Sequence, residues 1–202
     1  LEPGLYRVRL AGSDGSLAAV DAKSPRLLWR GQATGEMPHF YASPLVLSDG
    51  AEETVYAANR NGALYALDTA NGQERWRWQT PPSPDPNRLH FLERPPLPAG
   101  ELLLQVSYDH HLYAIHRHTA HTRWRSPDLA RRIYSRPAVV GDTVYVGPFR
   151  RELHAFRLAD GAPRWSAPLA LPDRLRGDVI AAGDRLALPL RQGRIAVVPV
   201  PS

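Results

Sequence analysis

The chain has 202 residues, of which 43% are hydrophobic, and it carries a formal net charge of +5. No apolar run reaches the roughly 18 residues of a membrane-spanning helix, and the lack of cysteine excludes disulfides and thiolate metal sites. Twenty prolines and fifteen glycines separate short apolar runs, which favours many short strands and turns over helices. Since the chain does not begin with Met, we expect a trimmed product from which any targeting signal has been removed.

Alternating apolar residues predict short strands from the start of the chain. The first strands are predicted at 5–10, 17–21, 27–29, 44–47, 54–58, 64–67 and 74–78. The group from 44 to 78 is the fullest, because Asn61-Gly62 and Asn71-Gly72 are strong signals for hairpin turns. Four short strands joined by tight turns predict an antiparallel meander.

The same arrangement recurs after a proline-rich insertion at 81–98. A ragged first strand is expected near Leu97, and the later strands are predicted at 102–106, 112–115, 122–125, 137–140, 143–146, 153–156, 163–165, 179–182, 185–190 and 195–200. The third strands of successive groups begin at 17, 64, 112, 153 and 195, so the period is 41 to 48 residues. The first group lacks its first strand and the fifth lacks its last.

One sequence frame marks the third and fourth strands of each group. It places an Ala ten residues before a Trp, and it accounts for four of the five tryptophans. Its copies are Ala19 with Trp29, Ala66 with Trp76, Ala114 with Trp124 and Ala155 with Trp165, followed by a copy from Ile195 that has no Trp. Small alanines would let neighbouring sheets stack closely, and each Trp would cover the gap between two sheets.

Four-stranded meanders that repeat roughly every 40 to 50 residues are typical of β-propeller blades. We therefore predict an all-β fold, a β-propeller of four-stranded antiparallel blades with three full repeats and two partial ones. The chain is predicted to be a single propeller domain or fragment, with repeats at about 1–38, 39–80, 88–130, 131–171 and 172–202. Part of a larger propeller is favoured; a five-bladed ring, an array completed by a second copy, and a β-sandwich are the alternatives.

The frame resembles the repeat of quinoprotein-type, or PQQ-like, propellers, which reads Ala-x-Asp-x-x-x-Gly-x-x-x-Trp. Ala66, Asp68, Gly72 and Trp76 match this repeat fully. The other copies depart from it at Pro25, His116, Ala120 and Arg157. The resemblance implies a structural docking role for Trp29, Trp76, Trp124, Trp165, Asp68 and Gly72.

The family that the repeat resembles contains quinone-dependent alcohol and sugar dehydrogenases as well as non-catalytic proteins. The latter include the lipoprotein that assists outer-membrane barrel assembly and the sensor domains of bacterial kinases. The enzymes typically carry an adjacent cysteine pair beside the quinone and a Glu-Asn-Asp calcium site, and this chain has no cysteine. The resemblance therefore implies a non-catalytic, extracytoplasmic scaffold or sensor domain, in the periplasm or at the cell surface, without a cofactor. The alternative is a fragment of a dehydrogenase that would bind PQQ and calcium.

Arginines are predicted to gather on one face of the propeller. In an antiparallel blade, the connections that follow the second and fourth strands lie on the same face. These connections contain Arg60, Arg94, Arg131, Arg132, Arg136, Arg150, Arg151, Arg174, Arg176 and Arg191. Arg94, Arg136 and Arg176 hold equivalent positions before the first strands of successive repeats. This arrangement, with Arg150 and Arg151, predicts a surface for a protein partner or an anionic ligand; the alternative is solvated charges or bonds to carbonyls between blades.

Histidines of the third repeat allow a metal hypothesis. His116, His118 and His121 are close enough in sequence to bind one metal ion, and surface histidines of a turn are the alternative. His110 and His111 belong to the hairpin at the other end of the same strand. No nucleic-acid partner is predicted, because the basic residues form no longer run than pairs and no recognition module is present.

The insertion at 81–98 contains seven prolines and is predicted to run as extended, polyproline-like chain. Within it, the segment from Leu89 through His90 and Phe91 to Leu92 has two interpretations. It would act either as a hook for a partner or as a covering loop that pins Phe91 onto its own blade.

Overall fold

A computed structural model describes residues 7–12, 14–21, 24, 26–32, 38–50 and 52–200. Within these residues the chain forms eighteen strands and one short 3-10 turn, Arg191–Gly193. Four residues of the sequence predictions lie outside the described ranges. They are Leu5 and Tyr6 of the strand predicted at 5–10, Ser13 of the segment that follows it, and Pro25 of the sequence frame. A search of the described part for a helix long and apolar enough to cross a membrane finds none.

The contacts between Cα atoms divide the chain into two compact units. The first unit comprises residues 1–81 with 91–95, and the second comprises 82–90 with 96–202. The assignment of the chain to one domain stays a prediction.

The first unit contains two antiparallel sheets. The first sheet has three strands in the order β1-β2-β3 and the second has four in the order β4-β5-β6-β7. Their bounds are β1 Arg7–Ala11, β2 Ser16–Asp21, β3 Arg26–Gln32, β4 Leu45–Asp49, β5 Glu52–Ala58, β6 Ala63–Asp68 and β7 Glu74–Gln79.

The second unit contains three antiparallel sheets, which are the third, fourth and fifth of the chain. Two have four strands each, in the orders β8-β9-β10-β11 and β12-β13-β14-β15, and the fifth has three, β16-β17-β18. Their bounds are β8 Leu97–Ala99, β9 Leu102–Val106, β10 Leu112–His116, β11 Thr122–Arg125, β12 Ala138–Val140, β13 Thr143–Val146, β14 Glu152–Arg157, β15 Leu169–Ala170, β16 Ile180–Ala182, β17 Arg185–Pro189 and β18 Ile195–Pro199. The prediction of three full repeats and two partial ones is confirmed.

Strands β5, β6, β9, β10 and β13 of the four-stranded sheets are buried on both faces, whereas β2 and β17 alternate between buried and more exposed residues. In the first unit, Leu17 of the first sheet shares a core with Val55 and Tyr65 of the second. In the second unit, one core joins the third sheet to the fourth, and another joins the fourth to the fifth. Burying one such leucine or valine side chain stabilises the fold by about 1.5–3 kcal/mol.

The fourth strand of the fourth sheet lies later in the chain than predicted. We expected it at 163–165, but β15 begins at Leu169 and pairs with Glu152 and Leu153. Pro163 forms only an isolated bridge with Phe156. Proline has no backbone N–H, so it cannot donate a hydrogen bond to the neighbouring strand. The ladder is therefore interrupted at Pro163.

Candidate functional site

Two of the repeated tryptophans join neighbouring sheets through a hydrogen bond. The indole N–H of Trp29 donates to the carbonyl oxygen of Thr69 at 2.8 Å, and that of Trp124 donates to the carbonyl oxygen of Leu158 at 2.8 Å. Both rings are buried, with 8% and 7% of their surface exposed. Each bond links the last strand of one sheet, β3 or β11, to the turn after the third strand of the next, β6 or β14.

The glycines of the frame lie against these indole rings. A Cβ atom on Gly72 would be 2.6 Å from Trp29 Cδ2, and one on Gly161 would be 2.7 Å from Trp124 Cδ2. Both glycines also have positive φ angles, +74° and +72°, which side chains of L residues rarely adopt. Glycine at 72 and 161 therefore allows both the turn and the close approach of the ring.

Asp68 organises the turn that carries Gly72. One of its carboxylate oxygens accepts the Ala70 N–H at 2.7 Å, and the other accepts a bond from Arg75 at 2.7 Å. The bond from Arg75 holds the pKa of Asp68 below its ordinary value. In the fourth sheet, Arg157 stands in place of this Asp, yet the Gly161 N–H still donates to the Arg157 carbonyl at 2.8 Å.

Trp76 and Trp165 are half-buried and each lies beside a tyrosine of its own sheet. The Trp76 ring is 5.7 Å from the Tyr56 ring, and the Trp165 ring is 5.8 Å from the Tyr145 ring. Within the described residues, the indole N–H of Trp165 has no hydrogen-bond acceptor, in contrast to Trp29 and Trp124. Trp165 thus occupies the frame position without the indole hydrogen bond that Trp29 and Trp124 make.

The second unit contains a cavity of about 450 Å³ whose walls carry arginine and aromatic side chains. It lies among the connections that follow β9, β11, β13 and β15, together with the start of the proline-rich insertion. Its lining residues are Asp85, Asn87, Arg88, Leu89, Tyr108, His110, Arg131, Arg132, Phe149 and Arg174. These connections follow second and fourth strands, which are the positions that the sequence analysis assigned to one face.

Phe149 lies at the centre of three arginines. The guanidinium carbons of Arg132, Arg174 and Arg176 are 5.9, 5.3 and 5.1 Å from the centroid of its ring. Tyr134 packs edge-on against the same ring at 5.2 Å. At an exposed site, a guanidinium near an aromatic ring gains about 0.5–1 kcal/mol, which helps to hold the cations in place. We call Phe149, Arg132, Arg174 and Arg176 the Phe149 cluster.

The arginines of the Phe149 cluster have no acidic partner in the described part of the chain. No carboxylate there lies within ion-pair distance of Arg132, Arg174 or Arg176, and all three side chains are exposed. Arg131 donates only to the backbone carbonyl of Ala130, at 3.3 Å. The cavity is lined by Arg88, Arg131, Arg132 and Arg174 and by one carboxylate, Asp85, so positive charge predominates in it.

Arg88 differs, because it is anchored within the second unit. It donates to Asp128 at 2.6 Å and to the Asp109 carbonyl at 3.1 Å, and His110 lies 3.1 Å from the same Asp128. Burial would raise the pKa of Asp128, but bonds from Arg88 and the Ala130 N–H outweigh it and lower the pKa to about 2. Burial and the charge of Arg88 lower the pKa of His110, so its ring is neutral near neutral pH.

Backbone bonds fix the segments that carry the cluster. The Phe149 N–H donates to the Arg132 carbonyl at 2.9 Å, and the Arg191 N–H donates to the Arg174 carbonyl at 3.1 Å. Asp173 accepts the Arg174 N–H at 2.7 Å and a bond from Arg194 at 2.5 Å. The bond from the Arg174 N–H, followed by that from Arg194, holds the pKa of Asp173 below its ordinary value.

The other arginines of the sequence prediction have varied environments. Arg136 is half-buried, and its guanidinium lies 3.5 Å from the Pro96 carbonyl. Arg150 forms an ion pair with Glu152 at 3.7 Å, and Arg151 forms one with Asp173 at 3.8 Å. Arg94 belongs to the first unit, whereas Arg136 and Arg176 belong to the second, so the expected convergence of the three stays a prediction.

The histidines of the metal hypothesis lie around the turn after β10. The rings of His116 and His118 are 5.7 Å apart, and His118 forms an ion pair with Glu101 at 3.2 Å. The His121 N–H donates to Thr119 at 3.4 Å. Among the described residues, no three His, Asp or Glu side chains are placed to hold a metal ion. The histidine set therefore has no support as a metal site.

The proline-rich insertion divides its apolar residues between the two units. In the first unit, the Arg60 guanidinium lies 4.2 Å from the Phe91 ring, and Leu92 is fully buried. These contacts fit the covering-loop interpretation for Phe91. Leu89, in the second unit, is 43% exposed and lines the cavity.

The aromatic residues that line the cavity were not predicted from the sequence. The sequence analysis listed Arg132, Arg174 and Arg176 on one face but did not single out Phe149 or Tyr108. The available signal was Phe149 directly before Arg150, since an aromatic residue in a basic connection can serve as a stacking surface.

The stacked four-stranded meanders define the chain as a β-propeller protein. The family model described as "Outer membrane protein assembly factor BamB" matches residues 13–200. The chain belongs to this family. The resemblance to PQQ-like propeller repeats, in the branch of the barrel-assembly lipoprotein, is thereby confirmed.

Individual proteins support the same assignment. The outer membrane protein assembly factor BamB of Shewanella oneidensis is 24% identical over 197 residues, which cover 94% of this chain and 46% of that protein. The crystal structure of BamB from Moraxella catarrhalis matches with a TM-score of 0.73 and 18% identity, over 98% of this chain and 56% of that one. The computationally designed Ika8 protein matches with a TM-score of 0.72 and 12% identity, over 98% of this chain and 57% of that one. The chain thus spans about half the length of these proteins, and the predicted β-propeller class is confirmed.

Proposed function

We propose that this chain is part of a non-catalytic propeller scaffold that takes part in outer membrane protein assembly by binding a protein partner. The single observation that carries the proposal is the family match over residues 13–200. An assembly factor of this kind needs surfaces for recognition and no reacting groups of its own.

The arginine-lined cavity supports a recognition role. Arginine stays charged across the whole physiological pH range, so it binds anionic groups and does not exchange protons. The arginines of the Phe149 cluster are exposed and lie within 6 Å of an aromatic ring, as in many protein-binding surfaces that combine aromatic and arginine side chains.

We propose an extracytoplasmic location, because the relative from Shewanella oneidensis is an outer membrane protein assembly factor. We further propose that the chain acts without PQQ or calcium. The sequence has no cysteine and so cannot supply the adjacent pair that the resemblance assigns to the quinone-dependent enzymes.

Complementation tests this function. The full-length protein that contains this chain would be produced in a Gram-negative bacterium that lacks its own assembly factor of this family. We expect the amount of folded outer membrane barrels, measured by heat-modifiable gel mobility, to return toward the wild-type level. Failure to restore the barrels, with the protein folded and exported, would contradict the proposal. Dye reduction with alcohols or sugars after addition of PQQ and calcium would favour the dehydrogenase instead.

A further inference from the structure

The positive charge around Phe149 favours the binding of an anionic ligand. Three guanidinium groups approach one ring within 6 Å, and no carboxylate in the described residues pairs with them. Like charges held this close repel one another, and the repulsion is relieved when an anion binds between them. A purely structural role would be expected to pair these arginines with acidic residues, as Asp128 pairs with Arg88.

The arginines of the cluster also offer hydrogen-bond donors. A guanidinium carries five N–H donors along its edge, and these three side chains are exposed. A carboxylate accepts two parallel bonds from such an edge, with a geometry that a single ammonium group cannot offer. The backbone bonds from Phe149 to Arg132 and from Arg191 to Arg174 limit the reorganisation that binding would require.

The shape and lining of the cavity favour a peptide over a small inorganic anion. Its volume of about 450 Å³ lies within the range of small-ligand sites and is larger than one phosphate group needs. Leu89 is exposed and Phe149 is half-buried, so apolar surface lies next to the charges. An acidic side chain followed by an apolar one would use both parts of the lining.

We propose that the Phe149 cluster binds an acidic peptide segment of a partner protein, with carboxylates on Arg132, Arg174 and Arg176 and an apolar side chain beside Phe149 and Leu89. This inference rests on the proposed function, since it names the chemistry of the partner that the scaffold binds. It concerns only the second unit, where all of these residues lie.

The test uses the full-length protein and a fluorescein-labelled, end-capped peptide, Gly-Glu-Asp-Phe-Glu-Asp-Leu-Gly. Fluorescence anisotropy at about 150 mM salt measures its affinity, and a peptide with Gln and Asn in place of the acids serves as the neutral probe. We expect the acidic peptide to bind and the neutral one to bind at least about tenfold more weakly. Equal binding of the two peptides, or no binding of the acidic one, would overturn the proposal.

Two triple variants distinguish binding at the Phe149 cluster from attraction by the net charge of the protein. Replacing Arg132, Arg174 and Arg176 by Ala should weaken binding at least about tenfold. The matched control replaces Arg123, Arg157 and Arg185 by Ala, which removes the same charge from exposed strand positions outside the cavity and should change affinity less than about twofold. An equal loss of peptide affinity in both variants would show that only the net charge attracts the peptide, and it would overturn the proposed site. If the cluster variant does not fold, the single variant Arg174→Gln, at an exposed position, should still weaken binding measurably.

Competition distinguishes the peptide from other anions. Inorganic phosphate and vesicles of phosphatidylglycerol would be added to the labelled complex. Binding to the vesicles without binding to the peptide would replace the protein partner by a membrane surface and overturn the proposal. If the peptide fails while complementation succeeds, only this inference falls; if complementation fails, the proposed function falls whatever the peptide does.

Discussion

Trp124 and Leu158 are joined by a 2.8 Å hydrogen bond from the indole N–H of the third sheet to a carbonyl oxygen of the fourth. Trp29 and Thr69 make the same connection in the first unit. Each bond satisfies a buried indole N–H and a turn carbonyl at once, and leaving such groups unpaired costs about 1–3 kcal/mol each. The frame that identifies the fold therefore also holds consecutive sheets together.

Replacing the glycine that contacts the indole ring should lower the free energy of unfolding. Gly161→Ala places a Cβ atom 2.7 Å from the Trp124 ring, at a φ of +72°. Gly141→Ala is the matched control, because Gly141 also has a positive φ, +58°, but has nothing within 4 Å of its Cβ position. We expect a loss of about 3 kcal/mol for the first and about 1 kcal/mol for the second in urea unfolding. Equal losses would show that the ring contact contributes nothing.

Removing the indole N–H should test the bond directly. Trp124→Phe keeps an aromatic ring but leaves the Leu158 carbonyl without its donor, so the free energy of unfolding should fall by about 1–2 kcal/mol. Trp165→Phe removes an N–H that has no acceptor among the described residues, and its loss should stay near 0.5 kcal/mol. Similar values for the two variants, measured by chemical denaturation, would argue against a stabilising bond.

Ala120 offers a stabilising substitution. It stands where Gly72 and Gly161 stand in the other repeats, and its φ angle is +60°. Because an L side chain is strained in this conformation, Ala120→Gly should raise the free energy of unfolding by about 1 kcal/mol. Ala181→Gly, at the middle residue of strand β16, should lower it by about 0.5–1 kcal/mol, as is usual for glycine in an element interior. A loss of stability in Ala120→Gly would contradict the strain argument.

The ion pair of Asp128 with Arg88 should make stability depend on acid pH. The pKa of Asp128 is lowered to about 2, whereas that of an unfolded Asp is about 3.9. The contribution of the carboxylate is therefore complete above the unfolded pKa and is lost as the pH falls through the folded one. Comparing the melting temperatures of the wild type and Asp128→Asn from pH 7 to pH 2 should show a constant gap above about pH 5 that narrows below about pH 4. When Arg88 is replaced by Gln in both proteins, the difference in melting temperature caused by Asp128→Asn should become smaller. An unchanged difference would show that a group other than Arg88 stabilises the Asp128 carboxylate.

The strands were largely predictable because local signals agree with the tertiary fold. β13 runs over Thr143–Val146 as the alternation predicts, and Gly62 closes the hairpin between β5 and β6 with a φ of +83°. The position of β15 was not predictable from the Trp frame. Pro163 interrupts the ladder near Trp165, and the chain pairs again only after Pro168.

The candidate site was predictable only in part. Strand alternation places Arg132, Arg174 and Arg176 in connections on the same side of the sheets, which follows from counting strands. Their meeting at Phe149 depends on the paths of three separate connections, and no local pattern specifies it. The lack of a carboxylate on the guanidinium groups is likewise a property of the packed fold, since Asp173, next to Arg174 in sequence, accepts the Arg174 backbone N–H and a bond from the Arg194 side chain.

The most direct measurement compares barrel assembly by three forms of the full-length protein in cells that lack their own factor. The wild type and the Arg123, Arg157 and Arg185 triple-alanine control should restore folded outer membrane barrels. The triple-alanine variant of Arg132, Arg174 and Arg176 should fold and be exported but restore far fewer. Equal restoration by the two triple variants would contradict a role for the Phe149 cluster in partner binding, and no restoration by the wild type would contradict the scaffold function itself.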